Sequence, residues 1–226
     1  VLEIGAGKGA LTFPLLLNID KLYAVEKDRD LIKQLRSDAL AYGNLTLFEQ
    51  DILTFQLSSL VTSATLTVVG NLPYNITTPI LFHLTKQRDQ IKNMFFMVQK
   101  EVADRLCAQP GCKQMSRLSI MLQADWQMET LFQIPPEAFL PKPKVTSAFV
   151  SFYPRSEPVA NGHREEFSQL VLSAFQTRRK TIRNALKQWL TEEDISSSGV
   201  LPTDRAEDLT LQHFAQLAKT LSEKKQ

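Results

Sequence analysis

Val1-Leu2-Glu3-Ile4-Gly5-Ala6-Gly7-Lys8-Gly9-Ala10-Leu11-Thr12 opens the chain. Val1 to Ile4 has the pattern of the end of a buried strand. Glycines at 5, 7 and 9 let the backbone turn tightly and come close to a ligand. The stretch from Gly9 to Leu17 then suits a helix. Strand, glycine turn and helix in that order begin an α/β unit. The spacing is G-x-G-x-G, not the G-x-G-x-x-G of dinucleotide binders, and alone it is weak evidence, since a tight turn without a ligand also fits.

Outward from that start, strand and helix patterns alternate. Lys21 to Val25 reads as the next strand, and Asp28 can cap a helix running to about Ala39. Leu45 to Glu49 is a third strand and Thr65 to Val69 a fourth. Pro79 to Thr85 suits a helix, Asn93 to Val98 a fifth strand, and Lys100 to Cys107 a further helix. This alternation predicts a parallel, doubly wound sheet. The rhythm changes after the loop at Pro110-Gly111. A helix is expected over Arg117 to Ala124, with strands over Gln127 to Gln133 and Ser147 to Tyr153. The polar, breaker-rich run from Pro154 to Gly162 reads as a linker. Helices are expected beyond it, over Arg164 to Phe175, Lys180 to Leu190 and Leu211 to Leu221.

The 226 residues suffice for one ordinary domain and a small annex. A hydrophobic fraction of 43% and a charged fraction of 22% are those of a globular protein. No apolar run approaches the ~20 residues needed to span a membrane. A net charge of +2 argues for nucleic acid only if the basic residues cluster. Cys107 and Cys112 form no CxxC pair and the histidines are scattered, so no metal site is expected. The thiols are expected to be reduced and the location cytoplasmic. The chain starts inside a strand pattern without a methionine, and an upstream piece is expected to be lacking.

Asn71-Leu72-Pro73-Tyr74 follows the buried-strand pattern Ala64 to Gly70. An amide, a rigid proline and an aromatic ring thus stand at a strand's carboxyl end, where open α/β sheets hold ligands. The set suits holding a planar base while its amino group reacts. Glu26 ends the second strand and could accept both hydroxyls of a ribose. Asp51 ends the third and could accept from an adenine amino group. Each acid alone also fits a solvated loop or a helix cap. With Gly5, Gly7 and Asn71 they outline an adenosine-shaped site. A pyrophosphate would call for a basic or helix-terminal anion site. S-adenosylmethionine has no phosphate and suits this glycine spacing better.

Four segments carry a resemblance. Glu3 to Thr12 resembles the first motif of S-adenosylmethionine-dependent methyltransferases, and Asn71-Leu72-Pro73-Tyr74-Asn75 the fourth motif of those acting on amino groups. Phe139-Leu140-Pro141-Lys142-Pro143-Lys144-Val145 is similar to the F-x-P-x-P-x-V segment of the rRNA adenine dimethyltransferases. Phe175 to Asn184 resembles the entry to that family's helical domain. The resemblance runs through nearly the whole chain. Two departures stand out: the family's Gly-Gln-x-Phe-Leu segment before the first strand does not occur here, and Met115-Ser116 stands where the family commonly has Tyr-Gly.

The resemblance implies an α/β fold, a Rossmann-like S-adenosylmethionine-dependent methyltransferase sheet with a small C-terminal α-helical domain. The expected division is 1–155 for the cofactor and catalysis and 156–226 for RNA. The implied activity is dimethylation of two adjacent adenosines near the 3′ end of small-subunit rRNA, in the immature 30S particle, by a monomer. Asn71, Leu72, Pro73 and Tyr74 would hold the reacting base, and Phe139 would cover its other face. Alone, Phe139 would read as a buried core phenylalanine; the surrounding Pro-Lys-Pro-Lys favours the pocket wall. Arg178, Arg179 and Lys180, with Arg183 and Lys187, form the densest basic cluster, suited to phosphates or to a solvated helix face. Arg117, Lys142 and Lys144 would add charge near the site entrance. A large-subunit rRNA methyltransferase of the Erm type, and a non-catalytic assembly or transcription-factor relative, remain alternatives.

Overall fold

The computed structural model describes residues 1–60 and 65–225. Ala64, at the head of the fourth strand pattern, lies outside them. In chain order the elements are β1 (Leu2–Ile4), α1 (Thr12–Leu16), β2 (Leu22–Glu26), α2 (Arg29–Asp38), β3 (Leu45–Glu49), β4 (Leu66–Asn71), α3 (Thr77–Thr85), β5 (Ile91–Gln99) and α4 (Lys100–Leu106). There follow α5 (Arg117–Gln123), β6 (Trp126–Ile134), β7 (Ser147–Pro154), α6 (Arg164–Gln176), α7 (Ile182–Leu186), α8 (Glu192–Ser197) and α9 (Leu211–Lys225).

The strands form one sheet in the order β3-β2-β1-β4-β5-β7-β6. The pairs from β3 through β5 are parallel, and β7 runs antiparallel to β5. β1 lies between β2 and β4, and all three of its residues are buried. That is why its apolar run shows no alternation. The chain builds outward from β1 through β2 to β3, then returns to β1's other side as β4. This reversal is a topological switch point, which opens a crevice beyond the carboxyl ends of β1 and β4. Gly5 follows one of those ends and Asn71 closes the other.

Packing explains the strand assignments. Leu22 of β2 packs with Leu16 and Ala39, and Ala24 with Ala6 and Leu35, so α1 and α2 cover one face. Tyr23 and Phe48 meet on the other. Asp28 caps α2 as expected, its carboxylate accepting from the Asp30 and Leu31 amides. α1 starts three residues later than its apolar pattern suggests, because Gly5, Gly7 and Gly9 all take positive φ in the turn before it.

The chain groups into two compact units: 1–103 with 128–154, and 104–127 with the chain from Arg155 on. The expected division after residue 155 differs in giving 104–127 to the first domain. Local bonding explains the grouping. The Asp125 carbonyl accepts from the Arg155 amide and the Ala124 carbonyl from the Val159 amide, while Arg164 pairs with Asp125. The second unit also departs from the expected helix over Lys180 to Leu190. Thr181 bridges to Arg205, the Ile182 and Arg183 amides donate to Asp204 and Pro202, and α7 is confined to Ile182–Leu186. α8 was not anticipated, although Thr191 and Asp194 form a capping box at its start.

Gly70 shows how tightly β4 lies on β1. A Cβ built there would stand 2.6 Å from the Ile4 carbonyl oxygen. Gly70→Ala should therefore cost about 1–3 kcal/mol by overpacking. Urea denaturation of the purified variant checks this; an unchanged midpoint contradicts it.

Candidate active site

Two cavities flank the switch point, both in the first unit. One, of about 260 Å³, lies beyond β1, β2 and β3, lined by Gly5, Glu26, Asp51 and Ile52 among others. Gly5 and Gly7 take φ of +69° and +57°, which brings the Gly7 amide to Glu26. One Glu26 oxygen accepts that amide at 3.0 Å; the other accepts the Lys27 and Asp28 amides at 2.8 and 3.0 Å. Three backbone donors therefore fix the carboxylate at the strand tip. Asp51 is fixed likewise. One oxygen accepts the Leu53 amide at 2.9 Å and the other meets the Lys27 ammonium at 3.0 Å. The Leu53 hydrogen bond first, and Lys27 second, hold its carboxyl below the usual range.

This chemistry fits the adenosine part of S-adenosylmethionine. Two oriented carboxylates supply acceptors for ribose hydroxyls and an amino group, while Ile4, Ile52, Leu53, Ile76 and Ile80 supply apolar walls. The residue that sequence reasoning missed is Lys27, which pairs with Asp51 at the cavity wall. Its only signal was its place directly after Glu26.

The second cavity, of about 510 Å³, is lined by Asn71, Leu72, Pro73 and Tyr74 on one side and by Ala138, Phe139, Leu140, Pro141 and Pro143 on another. Pro73 lines both cavities, so the turn after β4 is their common wall. The turn is well anchored. The Leu72 amide donates to Met97, and the Pro73 carbonyl accepts from the Ile76 amide and the Thr77 hydroxyl. Leu72 is buried while Asn71 is exposed toward the crevice end of β4. Phe139, half-buried, belongs to the pocket wall and not to the core. The structure thus brings Asn71 through Tyr74 and Phe139 together across 65 or more residues of sequence.

The expected RNA contacts divide. Lys142 and Lys144 flank Pro143 at the pocket, both exposed, but Lys142 is paired with Glu137. Arg117, also exposed, starts α5 in the second unit. Within that unit Arg178 holds the Lys113 and Met115 carbonyls and the Glu207 carboxylate at 2.9–3.0 Å. It clamps the loop containing Met115-Ser116. Arg183 faces Glu192 at 3.3 Å, and Arg179 and Lys180 are exposed. Among the described residues, no cluster of histidine, cysteine and acidic side chains could hold a metal ion.

Known proteins resemble this chain over nearly its whole length. A sequence model of the family described as ribosomal RNA adenine dimethylase matches residues 1–223. Ribosomal RNA small subunit methyltransferase A of Laribacter hongkongensis is 46% identical over 225 residues, covering 99% of this chain and 86% of that one. The protein of the same name from Nitrosospira multiformis is 47% identical over 215 residues, covering 95% and 82%. Among solved structures, a dimethyladenosine transferase from Plasmodium falciparum superposes with a TM-score of 0.78 at 25% identity, covering 99% of this chain and 90% of that one. The 23S rRNA methyltransferase ErmE shares the fold, with a TM-score of 0.77 at 24% identity over 98% and 90%.

Glu3 was not foreseen as a titrating group. It is 2% exposed on β1 and accepts the Thr12 hydroxyl at 2.7 Å. Burial pushes its carboxyl up to about 7; the Thr12 hydrogen bond opposes that rise and the Glu26 charge adds to it. Between the ordinary value of 4.5 and about 7 the folded state binds more protons than the unfolded one, so stability falls as pH rises through this window. The full effect is about 3 kcal/mol, at 1.36 kcal/mol per unit. Glu3→Gln keeps an acceptor for Thr12 and should flatten the decline. Denaturation midpoints from pH 4.5 to 8 test this; parallel curves for variant and wild type would contradict it.

Proposed function

The chain belongs to the ribosomal RNA adenine dimethylase family, and on that premise we propose that it dimethylates the N6 amino groups of two adjacent adenosines near the 3′ end of small-subunit rRNA. The methyl donor is S-adenosylmethionine. The substrate particle is the immature 30S subunit, met in the cytoplasm by a monomeric enzyme. One observation carries the reading. The Asn71–Tyr74 turn separates a cavity with two fixed carboxylates from a pocket walled by Tyr74 and Phe139.

When bound, the cofactor supplies an electrophilic methyl group on a sulfonium. Gly5, Gly7, Glu26 and Asp51 hold its adenosine part, and Asn71 sits beside the crevice that leads to the base. An adenine amino group is a poor nucleophile, because its lone pair is delocalised into the ring. The Asn71 side-chain oxygen and the Leu72 carbonyl accept its two hydrogens and favour a pyramidal nitrogen. The same acceptors stabilise the positive charge that grows during attack. Pro73 stiffens the turn that holds them. Among the described residues lining the pocket, none is a carboxylate, an imidazole or an amine. As the N6–methyl bond forms the donor's sulfur–methyl bond would break, and the N6 proton, now strongly acidic, passes to water, so no side-chain base is required.

The base must leave its stack to enter, which costs a few kcal/mol. Stacking on Tyr74 and Phe139, worth ~1–3 kcal/mol per base, offsets that. Lys142 and Lys144 lie beside the base pocket, and Arg117, Arg178, Arg179, Lys180 and Arg183 on the second unit. Of the helical cluster, Arg179 and Lys180 are the residues best suited to phosphates, since Arg178 and Arg183 already hold carboxylates.

Incubation with immature small subunits and labelled S-adenosylmethionine, followed by mapping of the modified nucleotides, tests the proposal. Two adjacent dimethylated adenosines are expected. Label in large-subunit rRNA would instead assign an Erm-type activity, and no label at all would sink the catalytic reading. Asn71→Ala should lower the transfer rate about a hundredfold or more with the fold intact by circular dichroism; wild-type turnover would remove Asn71 from the chemistry.

Arg179→Ala with Lys180→Ala should reduce the slope of log affinity against log salt by about 0.7 for each phosphate no longer neutralised. Filter binding to small-subunit RNA at several salt concentrations measures it. An unchanged slope would mean that the RNA docks elsewhere.

A further inference from the structure

We propose that Ser147 is a positioning residue for methyl transfer, acting through the ring of Tyr74; the inference rests on the reading of the Asn71–Tyr74 pocket given above. The Tyr74 and Ser147 hydroxyl oxygens are 2.8 Å apart, a hydrogen bond across 73 residues of sequence. Ser147 is fully buried, so this is not a solvated surface contact. It is the first residue of β7, and its backbone is set opposite Gln99 in the antiparallel ladder with β5. The neighbouring Thr146 carbonyl accepts the Lys100 amide at 2.9 Å, which fixes the approach to the strand. The hydroxyl is thus held by the sheet, while Tyr74 stands on the turn that forms the pocket.

The geometry gives this bond a task. A phenol ring held only by stacking can tilt about its side-chain torsions. Tethered at its far end to a rigid strand, it presents one fixed plane. The reacting amino group lies in the plane of its base, so the tilt of Tyr74 sets the direction of the N6 lone pair relative to the Asn71 and Leu72 acceptors. Near-attack geometry is sensitive to displacements of this kind. Ser147 also lies on the chain that runs on from Phe139 through the pocket-lining Pro141 and Pro143. One stretch of backbone therefore supplies one wall of the pocket and the anchor of the opposite wall.

Ser147→Ala, Tyr74→Phe and the double variant, assayed with immature small subunits, test the proposal. Overall docking is set by phosphate contacts remote from this bond, so KM for the particle should stay unchanged. The kcat should fall about two- to tenfold, the worth of one neutral hydrogen bond. Both single variants should lose the same factor, and the double variant no more than either. A purely structural role would lower the melting temperature without that coupled loss of kcat. Undiminished kcat in Ser147→Ala, or a double-variant loss equal to the product of the singles, would overturn the proposal. If Ser147→Ala fails to fold, Tyr74→Phe decides alone, and wild-type kcat there refutes it. Wild type and Asn71→Ala are run alongside. If wild type methylates no adenine, the reading of the pocket fails. If wild type is active, Asn71→Ala inactive and Ser147→Ala unimpaired, only the role of Ser147 falls.

Discussion

The carboxylate of Glu26 collects three backbone amides, from Gly7, Lys27 and Asp28. Those donors come from the glycine turn after β1 and from the chain that leads into α2. A single side chain thus joins the end of one strand to the turn beyond its neighbour. Charge-assisted bonds of this kind are stronger than neutral ones. The Gly7 donor belongs to a turn in which Gly5 and Gly7 take positive φ, which an L side chain rarely adopts. Strand order, turn geometry and acid placement therefore depend on one another. Loosening any one of them would release the acceptors that face the cofactor cavity.

The base pocket is built differently. Its walls come from residues far apart in sequence and are brought together by sheet order. β7 returns antiparallel beside β5 and leads the Phe139–Val145 segment to the carboxyl end of β4. Pro73 belongs to both cavities, so one rigid turn forms a wall of each. Just before that turn, Gly70 leaves no room for a Cβ beside the Ile4 carbonyl. Alignment of donor and acceptor is thus a property of the scaffold more than of any side-chain rotamer.

Much of this was legible in the sequence. The strand patterns at Val1–Ile4, Lys21–Val25 and Leu45–Glu49 put Glu26 and Asp51 at successive tips, where the structure has them. Asn71 to Tyr74 and Phe139 share a pocket, as their motifs imply. The illegible part concerns who pairs with whom. The Arg178-Arg179-Lys180 run looks uniform, yet Arg178 is spent on two carbonyls and Glu207, while its neighbours are exposed. Lys142 similarly meets Glu137, and Lys27 meets Asp51. Such partners depend on tertiary distances that periodicity does not carry. The helix expected over Lys180 to Leu190 is present but shorter, α7 covering Ile182–Leu186, with its first amides capped by the loop at Pro202–Asp204.

The absence of a carboxylate, an imidazole or an amine among the described residues lining the base pocket has a physiological side. An amide, a backbone carbonyl and aromatic faces have nothing that changes charge near neutrality. In the proposed mechanism the wall of the pocket therefore brings no titrating side chain to the bond-making step. What does respond is the framework, through the buried carboxyl of Glu3 on β1. That response is not confined to the framework's stability, because the Glu3 carboxyl and the Glu26 carboxylate at the tip of the neighbouring strand feel each other's charge.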